Sequence, residues 1–271
     1  MKGDRSLHLA TPGRAVHLAK VDPRDASAAP GDKDETNAAT EKLVDRLAEL
    51  HAMLWAEADR KVLVVLQGID TSGKGGTIEH VLGRIHPAGL RVVSFKAPSS
   101  TELARDYLWR VHANVPASGE LVVFDRSHYE DVLAVRVLDL VPKERWERRY
   151  DHINGFERML VDEGTTVVKL FLHISEDEQR ERLTARLEEP DKHWKFRQDD
   201  LDTRRHWDAY REAFQDAIER TSTEHAPWHV IPADRKWYRN WAVATILVGV
   251  LEHMDLGWPQ PEEDLSGIEV P

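Results

Sequence analysis

Short runs of β-branched and apolar residues alternate with longer stretches of helical periodicity through most of the chain. Five such runs predict strands, at residues 62–66, 92–95, 121–124, 167–174 and 229–231. Strands that are separated by helical segments are typical of a parallel sheet covered by helices on both faces. The pattern therefore predicts an α/β fold.

Helices are predicted on either side of these strands. An amphipathic helix over residues 36–58 is indicated by leucines at steps of three and four residues: Leu43, Leu47, Leu50 and Leu54. Ser99 and Ser175 each precede a glutamate by three residues, which is the spacing of a capping box at a helix start. A final helix is predicted over residues 235–254.

The chain divides into an arm, a domain and a tail. Residues 1–35 mix Gly, Pro, Asp and Ala without periodicity, which predicts an extended arm that lies on the surface or is partly disordered. Residues 36–258 are predicted to form one domain. Within it, residues 178–210 combine cations and acids around a proline break, so we predict a helix, a polar loop and a second helix that together act as a lid. Residues 259–271 form an acidic tail.

Charge and composition narrow the function classes. The 271 residues carry a formal net charge of −11 and include no cysteine. Disulfides, thiolate metal sites and cysteine nucleophiles are therefore excluded, and a cytoplasmic location is expected. The acidic balance argues against nucleic acid as a partner, because duplex affinity depends on cations that neutralise phosphates. The longest apolar stretch, residues 242–251, is too short to span a bilayer, and residues 1–20 lack the apolar run of a secretory signal.

A phosphate-binding loop is predicted between the first of these strands and the helix that follows it. Gly68, Gly73 and Lys74 have the spacing Gly-x4-Gly-Lys. Glycines let several backbone N–H groups turn toward one anion, the helix N-terminus adds its positive dipole, and the lysine can bridge phosphates. The alternative is an ordinary strand-to-helix turn without a ligand.

This loop departs from the usual pattern at two positions. The Ser or Thr that normally follows the lysine, and whose hydroxyl binds magnesium, is replaced by Gly75. Asp70 lies inside the loop, where a carboxylate repels phosphates unless a divalent cation lies between them. We therefore predict that Asp70 binds magnesium, directly or through water, with manganese as a substitute.

A second acidic position follows the strand at residues 121–124. Ligands of open parallel sheets bind at the carboxyl ends of strands, so Asp125 is predicted to lie beside the phosphate loop as a second magnesium ligand. Arg126 can then offset the charge that develops on a transferring phosphoryl group. The alternative is an Asp–Arg pair on the surface. His128 could in principle form a phosphohistidine intermediate. A histidine beside a tyrosine is more often a structural hydrogen-bonding residue, and we expect that role.

The predicted lid contains cations at helical or loop spacing: Arg180, Arg182, Arg186, Lys192, Lys195 and Arg197. Arginine is favoured where bidentate contact with phosphate matters. These cations can line one side of a lid that closes over a polyanion. Acids interleave with them, so a solvated helix with surface ion pairs is the alternative.

The chain resembles the polyphosphate kinase 2 family over nearly its whole length. The matching segments are residues 68–76, 94–98, 125–131, 149–154, 192–195 and 231–238. The resemblance implies a thymidylate-kinase-like P-loop α/β fold with a parallel sheet flanked by helices and a helical lid. It also implies magnesium-dependent phosphoryl transfer between inorganic polyphosphate and purine nucleoside mono- or diphosphates, and assembly into homodimers or homotetramers.

Residue roles follow from the same resemblance, position by position. The residues expected to be catalytic are Asp70, Lys74, Asp125, Arg126 and Arg182, of which Asp70 and Asp125 are also the expected metal ligands. The residues expected to bind substrate are Gly68, Ser72, Gly73, Gly75, Gly76, Lys96, Tyr129, Glu130, Arg186, Lys192 and Lys195.

The choice of acceptor is indicated by two features that point in different directions. The segment from Ser127 to Asp131 is most similar to the subgroup that accepts AMP as well as ADP, whereas Asp125 and Gly75 resemble the ADP-preferring subgroup. We expect both acceptors, with GMP and GDP as further candidates. Two rival hypotheses remain: a nucleotide kinase that uses ATP as donor, and a non-enzymatic P-loop nucleotide sensor.

Overall fold

The computed structural model of the chain describes residues 2–261 and 263–264. Over these residues the strands form one sheet of six, in chain order β1 (Leu9–Ala10), β2 (Lys61–Gln67), β3 (Leu90–Ser94), β4 (Leu121–Asp125), β5 (Thr165–His173) and β6 (Trp228–Pro232). The order across the sheet is β1-β6-β5-β2-β4-β3. All neighbours are parallel except β1 and β6, which are antiparallel. The α/β fold and the five predicted strands are confirmed.

The α-helices of the described residues are, in chain order, α1 (Lys33–Glu57), α2 (Lys74–Leu82), α3 (Ser100–Leu103), α4 (Trp109–His112), α5 (Ala134–Val137), α6 (Lys143–Glu147), α7 (Arg149–Asp162), α8 (Glu176–Glu188), α9 (Gln198–Arg205), α10 (Trp207–Thr221) and α11 (Lys236–His253). Three-residue to six-residue 3-10 turns lie at Leu18–Lys20, His128–Asp131 and Pro190–Lys195. The predicted helices over residues 36–58 and 235–254 correspond to α1 and α11.

The helices cover both faces of the sheet, and two successive residues of β5 show how. Leu170 lines an apolar gap with side chains from α2 and α11, whereas the ammonium of Lys169 bonds to Glu157 of α7 and Thr221 of α10. Successive side chains of a strand point to opposite faces. Helices α2 and α11 therefore pack on one face, together with α1, and α7 and α10 pack on the other.

Helix starts follow local sequence signals, with two differences from expectation. Helix α1 begins at Lys33 rather than residue 36, because Asp32 caps it and forms a capping box with Glu35. Ser99 forms the predicted capping box with Glu102. Ser175 caps α8 as predicted, but the Glu178 carboxylate accepts a hydrogen bond from Arg182 instead of reaching back.

The arm at residues 2–32 contains little regular structure, but it is attached to the domain at several points. Its strand β1 pairs with β6, and Leu18 is buried. The backbone N–H of Asp234 donates to the carbonyl oxygen of Pro23 at 3.1 Å. The sequence pattern does not predict β1, because a strand of two residues is too short to show periodicity. The division into arm, domain and tail stays a prediction, and residues 262 and 265–271 of the tail lie outside the described residues.

Candidate active site

The phosphate loop leads directly from β2 into α2. Gly73 caps α2 with φ of 99°, and Thr71 also has a positive φ of 68°. A β-carbon at Gly68 would lie 2.5 Å from the Ser72 hydroxyl oxygen, so only glycine fits there. The hydroxyls of Thr71 and Ser72 are buried and, among the described residues, have no hydrogen-bond partner. Unsatisfied buried donors beside a helix N-terminus fit an anion such as phosphate.

Lys74 is the first residue of α2, and its side chain reaches back into the loop. Its ammonium donates to the carbonyl oxygen of Gly68 at 2.7 Å, and the side chain is buried. Burial and the nearby charge of Arg126 lower its pKa, against the raising effect of Asp70, Asp125 and Glu130. The lysine is therefore held in place by the loop backbone, with acids on its other side.

The position after the lysine is open. Gly75 is exposed, and no heavy atom lies within 4 Å of a β-carbon placed on it; Gly76 is exposed as well. The structure thus has open space where the magnesium-binding hydroxyl of the usual loop stands. Any metal ligand must come from other residues.

Asp70 and Arg126 meet across the loop. The Arg126 guanidinium donates to one carboxylate oxygen of Asp70, and the Thr203 hydroxyl of α9 donates to the other at 2.9 Å. Burial alone would raise the pKa of Asp70, but the charges of Arg126 and Lys74 and the Thr203 hydrogen bond lower it overall. Asp70 is therefore held as a carboxylate, and the lid touches the loop through it.

Asp125 stands beside this pair, as predicted from the end of its strand. It is opposite Leu66 in the β2–β4 register, and its carboxylate lies 3.5 Å from the Ser94 hydroxyl. Glu130 follows in the 3-10 turn, where burial raises the pKa of its carboxyl against the lowering effect of Arg126 and Lys74. Three acids and two cations thus converge at the carboxyl ends of β2 and β4.

These acids can accommodate a magnesium ion. Over the described residues, no group of three His, Cys, Asp or Glu side chains forms a ready metal cage. Magnesium in phosphoryl-transfer sites commonly takes only one or two carboxylates and fills its remaining positions with waters and substrate phosphates. Asp70 within the anion-binding loop and Asp125 at the end of the neighbouring strand β4 fit that requirement.

The lid cations are mostly engaged within the protein. Arg182 donates to the carbonyl oxygens of Thr71, Ala233 and Asp234 as well as to Glu178, so it fastens the loop to the start of α11. The remaining predicted lid ligands lie further out. Arg186 pairs with Asp200, Lys192 pairs with Glu189, and Lys195 is exposed beside the Trp194 ring.

The structure does not bring every predicted residue to the loop. Tyr129 is buried, and its hydroxyl bonds to Glu157 and Thr221 beneath the sheet. His128 is buried in the same network and hydrogen-bonded to Glu157, which is consistent with the structural role expected for it. Lys96 is exposed just beyond the end of β3.

Two residues of this region were missed from the sequence. Thr203 contacts Asp70 from α9, and no local pattern marks it among the polar residues of the lid. The other is Arg239, which lies against Gly73: a β-carbon at Gly73 would be 1.9 Å from its Nη1 atom. The first turn of α11 contains Lys236 and Arg239 and no acid, which is a sequence signal for an anion.

The parallel sheet, the glycine loop between β2 and α2 and the helical lid together define a P-loop kinase fold. Within that class the chain belongs to the polyphosphate kinase 2 family, whose model matches residues 31–257. Among the described residues, no helix is long and apolar enough to cross a membrane.

Several known proteins are similar to this chain. An AMP/ADP-polyphosphate phosphotransferase of Meiothermus ruber is 57% identical over 251 residues, covering 93% of this chain and 94% of its own. An ADP-polyphosphate phosphotransferase of Rhodopseudomonas palustris is 42% identical over 229 residues, covering 80% and 79%. The crystal structure of polyphosphate kinase 2 from Arthrobacter aurescens TC1 has a TM-score of 0.92 at 44% identity and covers 96% of this chain and 92% of that one.

Proposed function

We propose that this protein is a polyphosphate kinase that transfers a phosphoryl group directly between inorganic polyphosphate and AMP or ADP. The observation that carries the proposal is the Asp70–Arg126 contact inside an anion-binding loop. It brings together the Asp70 carboxylate, a proposed magnesium ligand, and the Arg126 guanidinium, a proposed ligand of the phosphoryl group in transfer. Both lie at a loop that lacks the usual magnesium-binding hydroxyl. Membership of the polyphosphate kinase 2 family supports the same substrate class.

The residues of the site divide the work of such a transfer. Backbone N–H groups of the loop and the Lys74 ammonium bind and orient phosphates, and Arg126 offsets charge on the group in transfer. Asp70 and Asp125 would hold magnesium, which would neutralise phosphate charge and orient donor against acceptor when bound. An acceptor phosphate oxygen attacks the terminal phosphorus in line, and the bond to the bridging oxygen of the chain breaks. No group of the protein has to carry the phosphoryl group.

Both AMP and ADP are included as acceptors for a stated reason. The relative from Meiothermus ruber is named for both nucleotides, and the more distant one from Rhodopseudomonas palustris is named for ADP alone. The greater identity to the first supports the wider acceptor range. Initial rates with AMP, ADP, GMP and GDP against one polyphosphate preparation test it, and a rate with AMP at background level would restrict the proposal to ADP.

The activity itself has a direct test. Purified protein incubated with ADP, magnesium and polyphosphate is expected to form ATP, and omission of polyphosphate is the control. The rival hypothesis of an ordinary nucleotide kinase predicts instead that AMP is phosphorylated only when ATP is the donor. A P-loop sensor predicts no multiple turnover with either donor.

Direct transfer can be separated from a covalent route. We expect that protein incubated with radiolabelled polyphosphate and no nucleotide carries no stable label after denaturation, because His128 is fully buried and its Nε2 atom is hydrogen-bonded to Glu157. Label that remains on the protein and is released by acid or by base would contradict direct transfer.

The proposal also includes a homodimeric or homotetrameric assembly and a cytoplasmic location. Both rest on the likeness to the family. Light scattering coupled to gel filtration tests the assembly, with masses of two or four times 31.0 kDa expected.

A further inference from the structure

Arg239 is a buried arginine without an acidic partner. Its relative exposure is 3%, yet among the described residues no carboxylate forms an ion pair with it. Its Nε and Nη2 atoms donate to the same oxygen of Asn240, at 3.1 and 2.8 Å. Its Nη1 atom has no hydrogen-bond partner within the described part of the chain. A buried charge that is left without a counter-ion is costly.

The free end of Arg239 points at the phosphate loop. A β-carbon at Gly73 would lie 1.9 Å from Nη1 and 2.9 Å from the guanidinium carbon, and one at Gly76 would lie 3.7 Å from Nη2. The guanidinium therefore lies across the first turn of α2. Gly73 has to be a glycine as much for this contact as for its φ of 99°.

The surroundings of Arg239 are cationic. Burial and the charge of Arg182 lower the pKa of Arg239 to about 10, and only Glu178 acts in the other direction. Burial and the charges of Arg182, Lys192 and Arg239 likewise lower the pKa of Lys236. Four cations thus share this corner of an acidic protein. Glu178 already bonds to Arg182 and Glu189 already pairs with Lys192, so among the described residues Lys236 and Arg239 are the two without an ion-pair partner.

The helix start makes the imbalance larger. Helix α11 has no side-chain cap and no acid in its first turn, where Lys236 and Arg239 lie. Cations at a helix N-terminus oppose the helix dipole, which favours anions there. Helix α11 thus starts without a side-chain cap, Arg239 is buried with a free Nη1 atom, and two lysines lie nearby. Together these features favour a bound anion.

We propose that Arg239, with Lys236 and Lys192, binds a phosphate of the polyphosphate donor next to the one held by the phosphate loop. A linear chain of phosphates then runs from the start of α2 to the start of α11. This inference rests on the proposed function for the identity of the donor. Arg239 would act as a positioning and binding residue for the donor, and the acceptor nucleotide would not depend on it.

The test is to measure binding and stability of Arg239→Met in parallel. Without ligand, we expect the variant to be as stable as the parent protein or more stable, because it removes an uncompensated charge. The dissociation constant for tripolyphosphate, measured by calorimetry and by the ligand-induced rise in Tm, is expected to increase about 10-fold or more. The dissociation constant for ADP is expected to stay unchanged. In turnover, KM for polyphosphate should rise more than kcat falls.

Matched variants define the comparison. Arg235→Met removes an exposed cation from the same helix start, and it should leave tripolyphosphate binding unchanged. Arg239→Lys keeps the charge without the planar fork and should lie between the parent and Arg239→Met. Should Arg239→Met fail to fold, Arg239→Lys and the exposed Lys236→Met both have to weaken tripolyphosphate binding for the inference to stand.

Three outcomes would overturn the inference. One is a loss of stability in ligand-free Arg239→Met with normal tripolyphosphate binding, which would make Arg239 a structural residue. Another is an equal or larger loss of ADP binding. The third is an equal loss in Arg235→Met, which would reduce the effect to overall charge. Absence of ATP formation by the parent protein would refute the proposed function alone, because tripolyphosphate binding is measured without turnover.

Discussion

At the residue scale, the contact between Asp70 and Arg126 shows why a carboxylate inside a phosphate loop can be stable. Arg126, Lys74 and Thr203 together outweigh the cost of burying Asp70 and lower its pKa. Arg126 and Lys74 are also the cations that we propose to bind phosphate. Asp70, Arg126 and Lys74 are therefore electrostatically coupled to one another.

Loss of the Asp70 charge should abolish activity more than it affects the fold. We expect Asp70→Asn to lower kcat for ATP formation at least about 100-fold at saturating magnesium, because it removes a charge from the site of transfer. The amide still accepts hydrogen bonds, so the circular dichroism spectrum should be unchanged. Asp177→Asn, which changes an exposed acid of α8, is the control. Near-normal turnover of Asp70→Asn would contradict its assignment as a metal ligand.

The lowered pKa of Asp70 predicts a pH dependence of stability. Its folded-state pKa lies below the ordinary 3.8, so its charge contributes stability above the unfolded-state pKa, and this is lost as pH falls through the folded-state value. The stability difference between parent and Asp70→Asn should therefore shrink between about pH 6 and about pH 3. Urea unfolding of both proteins at the two pH values measures it. A stability difference that does not change with pH would show that these neighbours do not lower the pKa of Asp70.

A buried ion pair beneath the sheet is the second feature of this scale. The Lys169 ammonium donates to Glu157 at 2.6 Å, to the Tyr129 hydroxyl at 2.9 Å and to the carbonyl oxygen of Thr221 at 2.7 Å. All three side chains are fully buried. The pair explains why Tyr129 turns away from the phosphate loop.

Removal of one partner of this pair should be severe. Lys169→Met is expected to lower the free energy of unfolding by about 3–5 kcal/mol, because it leaves the Glu157 carboxylate buried without its ammonium partner. The double variant Lys169→Met with Glu157→Gln removes that charge and should recover part of the loss. Urea unfolding of the two variants is the measurement. An equal loss in both would mean that packing, and not the unpaired charge, dominates.

At the element scale, local sequence signals predict the central strands better than the edge strand and the helix ends. Strands β2, β4 and β5 are central, so their apolar runs are long enough to be recognised. The edge strand β1 has two residues, and it exists only because β6 offers a free edge to the arm. Helix α1 starts at Lys33, before the predicted start at residue 36, because the Asp32 capping box is a local signal that the leucine pattern does not contain.

Helix α7 contains a glycine whose replacement should stabilise the protein. Gly155 is exposed in the middle of α7, and no heavy atom lies within 4 Å of a β-carbon placed there. Gly155→Ala is expected to raise the free energy of unfolding by about 0.5–1 kcal/mol, because alanine loses less backbone entropy in a helix. Thermal and urea unfolding measure it.

Gly73→Ala is the contrasting variant for this prediction. It has to adopt φ of 99° and collides with Arg239, so it should be destabilising. Equal effects of the two substitutions would contradict the structure of the loop.

At the scale of the whole molecule, a net charge of −11 has to be reconciled with a polyanionic substrate. The cations of the loop, the lid and the start of α11 lie close to one another, and Asp70, Asp125 and Glu130 lie among them. Charges further apart than about 10 Å are largely screened at an ionic strength of 0.1 M. Contacts with the local cations should therefore dominate binding.

This argument predicts the salt dependence of the reaction. KM for polyphosphate is expected to rise as ionic strength increases from about 0.1 M to about 0.5 M, while kcat changes less. Initial rates at a fixed concentration of free magnesium measure both parameters. A KM that falls with added salt would mean that repulsion by the whole protein outweighs the local cations.

The sequence alone determined the features that depend on neighbours along the chain. The phosphate loop from Gly68 to Lys74 and the position of Asp125 at the end of its strand follow from spacing and strand order. Tertiary structure decided which side chains reach the loop from distant segments. Thr203, Arg182 and Arg239 come from three different helices, and Tyr129 is turned inward by Lys169. The resemblance marked Arg182 and the acid-free start of α11 marked Arg239 as candidates, but neither signal shows which atoms these side chains contact. Such contacts depend on how helices pack across a sheet and on where buried charges find partners, and a local pattern does not carry that information.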